Sequence, residues 1–343
     1  MTASAHSMFT EALAPEHEYR HAPDDDPAYN ESTYYNFAGE SGVVGFLRVA
    51  MQQNQPSGQA TALIFVPDGP ALFFFERTTA ISADELAVGG VRIEVLEPHR
   101  RQRLSFAGRM AAFEDPRVLA DPGTALRTAP REEVAVDLTV TGHGVSFGTS
   151  GTDPSHVLED SLAVGHYEQF IRLDGDVRVG DRTLAVRGGG LRDHSWGPRD
   201  WSGPLFYRWV TATFEDGSAV MALEVARRDG VTTRRAAAVT GGAAAEAELT
   251  AVTVDRTEDG FGHRVACEFT TAAGGLVVTG VARQPARFVP LRHVTTAPDG
   301  TRSVTRIGYS AYEFTASDGR RGLGIVEMLD QLPAGAAEQE GKS

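Results

Sequence analysis

The chain has almost no cysteine and a deficit of basic residues. Cys267 is the only cysteine among the 343 residues, which excludes an intrachain disulfide and a cysteine-based metal cluster. We expect it to be a small buried residue of a strand. The chain has 46 Asp and Glu against 32 Lys and Arg, a net charge of −14. Because so acidic a chain offers no basic surface to phosphates, we expect no nucleic-acid binding.

Long apolar runs are also missing. The longest, "ALIFV" and "ALFFF", are far shorter than the ~20 residues that a transmembrane helix needs. The first twenty residues lack the basic-then-apolar order of a signal peptide. These absences predict a cytoplasmic protein with no stable membrane insertion. They leave the oligomeric state open.

Sequence signatures of common cofactors are absent. "GVVGFLR" lacks the dinucleotide fingerprint, no Gly-x-x-x-x-Gly-Lys loop occurs, and no pair of histidines has metal-ligand spacing. "GTSGTDPSH" contains serines but no nucleophile elbow. The sequence therefore predicts no cofactor and no metal. It favours proton transfer, hydration, dehydration, isomerisation or cyclisation in an apolar pocket.

Helical periodicity is scarce, and period-two alternation dominates. At least sixteen short apolar or alternating segments are separated by turns such as "EDG", "PDG" and "SDG". Parallel strands would need crossover helices that this spacing does not allow. The predicted fold class is therefore all-β, with antiparallel barrels or sandwiches and little helix.

The segments divide into two similar sets. We expect a flexible acidic N-terminus over 1–30, β domains over 31–190 and 191–332, and a flexible tail over 333–343. The division falls within the polar and aromatic motif described next. A binding site between the domains, or at their mouths, is therefore geometrically natural.

The motif is "GGGLRDHSWGPRDW", which runs from residue 188 to residue 201. If it is extended, His194 and Trp196 share one face, and Asp193 and Ser195 share the other. A histidine can transfer a proton, while an indole face stabilises a developing carbocation. Asp193 could orient a neighbouring imidazole or could instead form a salt bridge with Arg192 or Arg199. This interpretation makes His194, Asp193 and Trp196 candidate catalytic residues.

A structural interpretation of the same motif stays open beside the catalytic one. Clusters of Asp, Arg and Trp around a Gly-Pro turn often form a hydrogen-bonded corner between domains. Arg192, Arg199, Asp200 and Trp201 fit such a corner, whereas His194 and Trp196 fit catalysis better.

The motif resembles the Asp-His-x-Trp-Gly signature of the lipocalin-like superfamily that contains the carotenoid 1,2-hydratases (hydroxyneurosporene synthases). The preceding "HYEQFIRLDGDVRVGDRTLAVRGGG" resembles the strands that lead into that signature. The segments "STYYNFAGESGVVGFLRVAMQQNQ" and "DGRRGLGIVEML" are similar to the ends of an actinobacterial branch. Lipocalin-like cyclases with Diels–Alder chemistry are more distant relatives.

The resemblance implies two tandem lipocalin-like, calycin-type barrels, with the catalytic His-x-Trp at His194 and Trp196 and Asp193 as the adjoining carboxylate. The hydratases also use a downstream Tyr-x-Asp to protonate an alkene. In this chain the corresponding segment is "SAVMALEVARR", in which Glu224 is the only carboxylate. This difference puts hydration of a carotenoid end group in doubt.

Single carboxylates in apolar strand sequence are further candidates, because a carboxyl group in a dry cavity can act as a general acid near neutral pH. Glu327 is the best of them, since "GLGIVEML" is apolar on both sides; the others are Glu168, Glu224 and Glu313. Each could instead face outward or pair with an arginine. His166, Tyr167 and Tyr207 are expected to line the same cavity, whereas His99, His143 and His263 beside turns are expected to be solvated.

Three functions remain open. The first is a cofactor-independent lyase or isomerase acting on a hydrophobic terpenoid, polyketide or lipid-like substrate. The second is a non-catalytic carrier of a lipophilic ligand. The third is a pericyclase that shapes a reactive polyene. An acid catalyst needs a desolvated carboxylate near the ligand, which a carrier does not.

Overall fold

A computed structural model describes residues 7–9, 11–82, 85–152, 162–271, 274–296 and 302–332. The regular secondary structure of the described residues is mostly antiparallel β, which confirms the predicted fold class. Its one α-helix, α1 (Pro122–Thr128), has seven residues. The Asp121 side chain caps α1 by accepting from the Thr124 N–H, and Pro122 supplies the first helical position. Short 3-10 helices lie at Pro15–Glu18 and Pro116–Ala120.

The first sheet contains twelve strands. These are β1 (Tyr29–Gly39), β2 (Val44–Gln52), β3 (Ser57–Phe65), β4 (Ala71–Thr78), β5 (Leu86–Val88), β6 (Val91–Glu97), β7 (Arg101–Phe113), β8 (Arg131–Gly142), β9 (Phe147–Thr149), β10 (Gly165–Val179), β11 (Arg182–Ala185) and β12 (Gly188–Pro198). Pairing in the order β1–β2–β3–β4–β7–β8–β10–β12 and back to β1 closes an eight-stranded barrel.

The second sheet contains nine strands. These are β13 (Pro204–Phe214), β14 (Ala219–Arg227), β15 (Thr232–Thr240), β16 (Ala243–Arg256), β17 (Gly262–Thr271), β18 (Gly274–Ala282), β19 (Val289–Thr296), β20 (Arg302–Ala316) and β21 (Arg321–Leu332). Pairing of β18 with β20 closes a second eight-stranded barrel, with β19 beside β20. Cys267 is buried inside it, as predicted.

Alternation along the strands sorts most of the buried apolar residues into three large cores. One core fills the first barrel and includes Tyr35 and Leu47, and another fills the second barrel and includes Phe269 and Phe314. A third core lies between the outer faces of the two barrels, where Phe46 of β2 meets Tyr309 of β20. Several strands are therefore buried on both faces, which explains why their sequences are apolar at nearly every position.

The glycines at the start of β12 allow a close approach to β1. A Cβ atom at Gly188 or at Gly190 would lie 2.0 Å from the carbonyl oxygen of Ala38 or Asn36, respectively. Real side chains do not tolerate such a distance, so only glycine fits.

The chain passes from the first sheet to the second after Pro198. The predicted boundary at 190/191 lies inside β12, and both partners of β12, which are β1 and β10, belong to the first sheet. Residues 199–203 connect the sheets. The division of the chain into independent domains stays a prediction, and residues 333–343 lie outside the described part.

The described residues before β1, which are 7–9 and 11–28, are here called the N-terminal segment. This segment is packed against the rest of the protein, whereas the sequence predicts flexibility over 1–30. Met8 is buried against Phe147 and its neighbours, and Glu18 is buried inside the first barrel. The acidic composition did not indicate this burial, because the residue that neutralises Glu18 is Arg192, which is remote in sequence. The strand β1 also begins within this range, at Tyr29.

Candidate functional site

The two faces of β12 carry two separate polar clusters. Asp193 and Ser195 face the second barrel, whereas His194 and Trp196 face the interior of the first barrel. The predicted alternation is therefore observed. It places Asp193 and the His-x-Trp pair in different surroundings.

Asp193 belongs to a cavity of about 140 Å³ between the two barrels, here called the interbarrel pocket. Strands β1, β2, β10 and β12 form one wall, and β13, β14, β20 and β21 form the other. Its walls combine apolar and polar side chains: Ser32, Tyr34, Arg48, Leu162, Ala163, His166, Glu168, Asp193, Ser195, Arg199, Trp201, Tyr207, Trp209, Leu223, Val225, Tyr309 and Glu327.

Glu327 supplies a buried carboxyl group on the second barrel's wall of the pocket. It lies beside Tyr309 of β20 in the sheet, and the Tyr207 hydroxyl donates a hydrogen bond to its Oε1. Burial raises the pKa of Glu327 to about 7, although hydrogen bonds from Tyr207 and Tyr309 oppose this rise. Glu327 can therefore hold or release a proton near neutral pH.

Glu168 supplies a second buried carboxyl group, on the first barrel's wall. Strand pairing places it directly beside Asp193. Burial raises the pKa of Glu168 to about 7, and the negative charge of Asp193 contributes to the rise. The pocket therefore has a carboxyl group of raised pKa on each wall.

A histidine–aspartate pair lies beside Glu168. His166 Nε2 is 2.7 Å from Asp193 Oδ2. Burial disfavours the imidazolium, but the hydrogen bond to Asp193 and the negative charges of Asp193 and Glu168 together outweigh burial and raise the pKa of His166. Arg199 adds positive charge next to this pair, although burial lowers the pKa of Arg199 to about 10. Arg199 Nη2 donates to Ser195 Oγ over 2.7 Å.

Two hydrogen-bond donors of the pocket have no partner of good geometry among the described residues. These are the Tyr34 hydroxyl, which lies near the Asn36 side chain, and the Trp209 indole N–H, which lies near the Glu168 carboxyl group; both are buried. Unpaired buried donors are costly, so they are available to oxygen atoms of a ligand. Trp201, which stacks on His293 with ring centroids 4.9 Å apart, adds an aromatic wall.

The other face of β12 points to a charged cluster inside the first barrel. Arg192 forms an ion pair with Glu18 and donates to Gln169 over 2.8 Å and to Tyr167 over 3.3 Å. His99 Nδ1 lies 3.0 Å from Glu18. Burial alone would raise the pKa of Glu18, but Arg192 and His99 lower it to about 2. Arg192 and Tyr167 therefore hold the N-terminal segment rather than line the interbarrel pocket.

His194 and Trp196 lie near this charged cluster, at the N-terminal segment. His194 Nε2 is 3.0 Å from Glu31 Oε1, and His21 Nδ1 is 2.8 Å from the same oxygen. The Trp196 ring stacks on His21 with centroids 3.7 Å apart and on His17 at 5.4 Å. Gly165 opposite Trp196 makes room for the indole, since a Cβ there would lie 2.1 Å from the ring.

The structure thus brings some predicted residues together and separates others. Those that line the interbarrel pocket are Asp193, Glu327, Glu168, Tyr207, His166, Arg199 and Trp201. Those inside the first barrel are His194, Trp196, Arg192 and Tyr167. Glu224 lies inside the second barrel, 2.6 Å from Arg234, while Asp200 and Glu313 are exposed. The roles predicted for these residues stay predictions.

Sequence reasoning did not find several residues of the two clusters. In the pocket it missed Tyr34, Arg48, Trp209 and Tyr309, and in the first barrel it missed Glu18, His21 and Glu31. Alternation in "RIGYSAYEF" marks Tyr309 as buried, but nothing local shows what it faces. His143 was expected to be solvated; it is buried and contacts the Gly217 carbonyl over 3.1 Å.

Fold and pocket together define a protein of two tandem eight-stranded lipocalin-like barrels with a polar-lined pocket between them. The chain belongs to the family described as a domain of unknown function (DUF7064), whose model matches residues 14–332. Comparison with curated proteins finds no match. Among the described residues, none of the helices is long and apolar enough to span a membrane.

Solved structures share the fold at low sequence identity. A Nitrosomonas europaea protein provisionally assigned as AttH is 13% identical, with a TM-score of 0.59, and the match covers 94% of this chain and 98% of that one. CghA bound to Sch210972 is 15% identical, with a TM-score of 0.53 and 89% of each chain covered. Kievitone hydratase from Nectria haematococca is 10% identical, with a TM-score of 0.54 and 96% of each chain covered.

Proposed function

We propose that the protein is an enzyme of hydratase, dehydratase or cyclase type that transfers a proton to a small hydrophobic substrate in the interbarrel pocket. One observation carries this proposal: Glu327 is a buried carboxyl group that faces the pocket, receives a hydrogen bond from Tyr207 and holds its proton near neutral pH. A desolvated acid of this kind is suited to general acid catalysis.

The opposite wall supplies groups that can accept or orient a proton. Glu168 and the His166–Asp193 pair lie there, across the pocket from Glu327. An acid on one wall and a base on the other permit addition of a proton at one substrate atom and removal at another. This arrangement suits hydration, dehydration and isomerisation, which all need both transfers.

The remaining walls fit a hydrophobic substrate that carries a few oxygen atoms. Trp201 and Trp209 offer aromatic faces, which stabilise positive charge that develops on the substrate. The unpaired donors of Tyr34 and Trp209 fit substrate oxygen atoms. A terpenoid, polyketide or lipid-like molecule has this chemistry. The likeness to a protein named kievitone hydratase and to CghA with bound Sch210972 supports the proposal.

The test begins with the ligand that copurifies with the protein, identified by native mass spectrometry and then assayed for conversion. Glu327→Gln keeps the side-chain shape but removes the transferable proton, so we expect turnover to fall about 10²-fold or more while the ligand still binds. Glu313→Gln is the matched control, because Glu313 is an exposed carboxylate on β20, and it should retain full activity.

Two results would count against the proposal. If Glu327→Gln turned over substrate as fast as Glu313→Gln, Glu327 would not be the acid. If the wild-type protein bound the ligand and returned it unchanged, the carrier function would replace the enzymatic one.

A further inference from the structure

Three side chains from separate parts of the chain converge at the mouth of the first barrel. His21 lies before β1, Glu31 lies on β1 and His194 lies on β12. One nitrogen of each imidazole and one oxygen of the carboxylate all lie within 4.8 Å of one another. We propose that His21, Glu31 and His194 form a binding site for a divalent transition-metal ion.

The charge at this position favours a cation. The Glu31 side chain is 2% exposed, and its carboxylate contacts the His21 and His194 imidazoles, the His21 backbone N–H and the Gln53 amide. A buried carboxylate is costly unless positive charge or hydrogen-bond donors offset its loss of water. A divalent ion held by the two imidazoles and the carboxylate provides that charge.

Neighbouring polar groups also contact the second polar atom of each of the three ligand side chains. His21 Nε2 lies 3.0 Å from His17 Nδ1, and Gln53 Nε2 donates to Glu31 Oε2 over 3.2 Å. His194 Nδ1 lies 3.5 Å from the Tyr167 hydroxyl. Protein metal sites use such partners to fix the tautomer and direction of each ligand. Neighbouring groups therefore hold the three ligand side chains in place.

The donor set selects the class of ion. Two imidazole nitrogens and one carboxylate oxygen suit Zn²⁺ and neighbouring transition metals, whereas Mg²⁺ and Ca²⁺ prefer oxygen ligands alone. Three protein ligands leave coordination positions for water or an added ligand. Because His21 lies in the N-terminal segment, the ion would tie that segment to β1 and β12. The site lies on the opposite face of β12 from the interbarrel pocket and does not depend on the proposed reaction.

The test uses full-length protein without a polyhistidine tag, loaded with Zn²⁺ and then dialysed. Elemental analysis should find about one Zn²⁺ per chain in the wild type and a loss of it in His21→Gln and Glu31→Gln. His99→Gln is the matched control, since His99 contacts Glu18 rather than Glu31, and it should retain the ion. Added Zn²⁺ should raise the Tm of the wild type and His99→Gln by several degrees, but not that of the ligand variants.

Metal retention is measured on the folded fraction, isolated by size exclusion, so that a destabilised variant still gives a result. Absence of bound Zn²⁺ and of a Tm shift in the wild type would overturn the proposal. Equal Zn²⁺ retention by the wild type, His21→Gln and Glu31→Gln would overturn it as well, since the ion would then lie elsewhere.

Discussion

Glu168 and Glu327 show how burial changes the chemistry of a single residue. In both, burial is the largest cause that raises the pKa from 4.5 to about 7. A folded-state pKa above the unfolded one means that the fold favours the protonated form. The contribution of each group to stability is therefore full below pH 4.5 and is lost as pH rises through about 7.

The variant Glu168→Gln tests this pH dependence. Glutamine cannot ionise, so the variant lacks the loss of stability that the wild type shows as pH rises. The free energy of unfolding of Glu168→Gln relative to the wild type should therefore increase by on the order of 1–3 kcal/mol from pH 5 to pH 8. Urea unfolding at both pH values measures the difference. Glu313→Gln, at an exposed carboxylate, should show no such gain. A constant stability difference between wild type and Glu168→Gln across this range would show that Glu168 has an ordinary pKa.

A pH–rate profile tests Glu327 in the same way. If Glu327 must be protonated to react, kcat/KM should fall as pH rises through about 7, the pKa of Glu327 in the free protein. In Glu327→Gln this limb should disappear along with most of the turnover. If the residual activity of Glu327→Gln still fell as pH rose through about 7, a group other than Glu327 would cause the pH dependence.

The N-terminal segment illustrates how an element without regular structure can become part of a barrel. Its described residues, 7–9 and 11–28, contain one short 3-10 helix. Glu18 of this helix lies next to Arg192 inside the first barrel. Arg192 is 1% exposed, so Glu18 rather than water neutralises its positive charge. Loss of one member of a buried ion pair leaves the other unpaired, which is strongly destabilising.

The matched variants Glu18→Gln and Glu16→Gln test the attachment of this segment. Glu18→Gln should lower the free energy of unfolding by about 3–5 kcal/mol, because Arg192 loses its counter-charge. Glu16 lies two residues away on the same turn but is exposed, so Glu16→Gln should change stability by less than about 0.5 kcal/mol. Denaturant titration provides the comparison. Equal stability of the two variants would mean that Glu18 contributes little to folding.

On the scale of the whole molecule, the two barrels share a core. Phe46 of β2 is 1% exposed and lies 5.0 Å from the Tyr34 ring and 4.9 Å from the Tyr309 ring, between centroids. This shared core forms around the interbarrel pocket, which both barrels line. Stability of each barrel should therefore depend on the other, and neither alone can form the pocket.

The cooperativity of unfolding tests this dependence. We expect the wild type to unfold in one calorimetric transition. Phe46→Ala should cost about 3–5 kcal/mol and separate the transitions of the barrels, since it removes contacts between them. Phe314 lies inside the second barrel, so Phe314→Ala should lower the free energy of unfolding by a similar amount. It should separate the two unfolding transitions less than Phe46→Ala does. Two separate transitions in the wild type would show that the shared core does not couple the barrels.

The fold class and the local pattern of the motif could be predicted from the sequence alone. Period-two alternation follows from the covalent geometry of an extended chain, so the strands and the opposite faces of Asp193 and His194 could be predicted. Apolar neighbours on both sides of Glu327 indicated a buried carboxyl group, and the structure buries it. Each of these features depends on residues adjacent in sequence.

The groups that each face of β12 contacts could not be predicted from the sequence, because they depend on how distant segments pack. Alternation cannot show that Asp193 faces Glu327 across a pocket while His194 faces Glu31, because those contacts join residues more than 130 positions apart. The packing of the N-terminal segment was unpredictable for the same reason, since the burial of Glu18 depends on Arg192. The two faces of β12 differ chemically because one packs against the second barrel, while the other meets the N-terminal segment inside the first barrel.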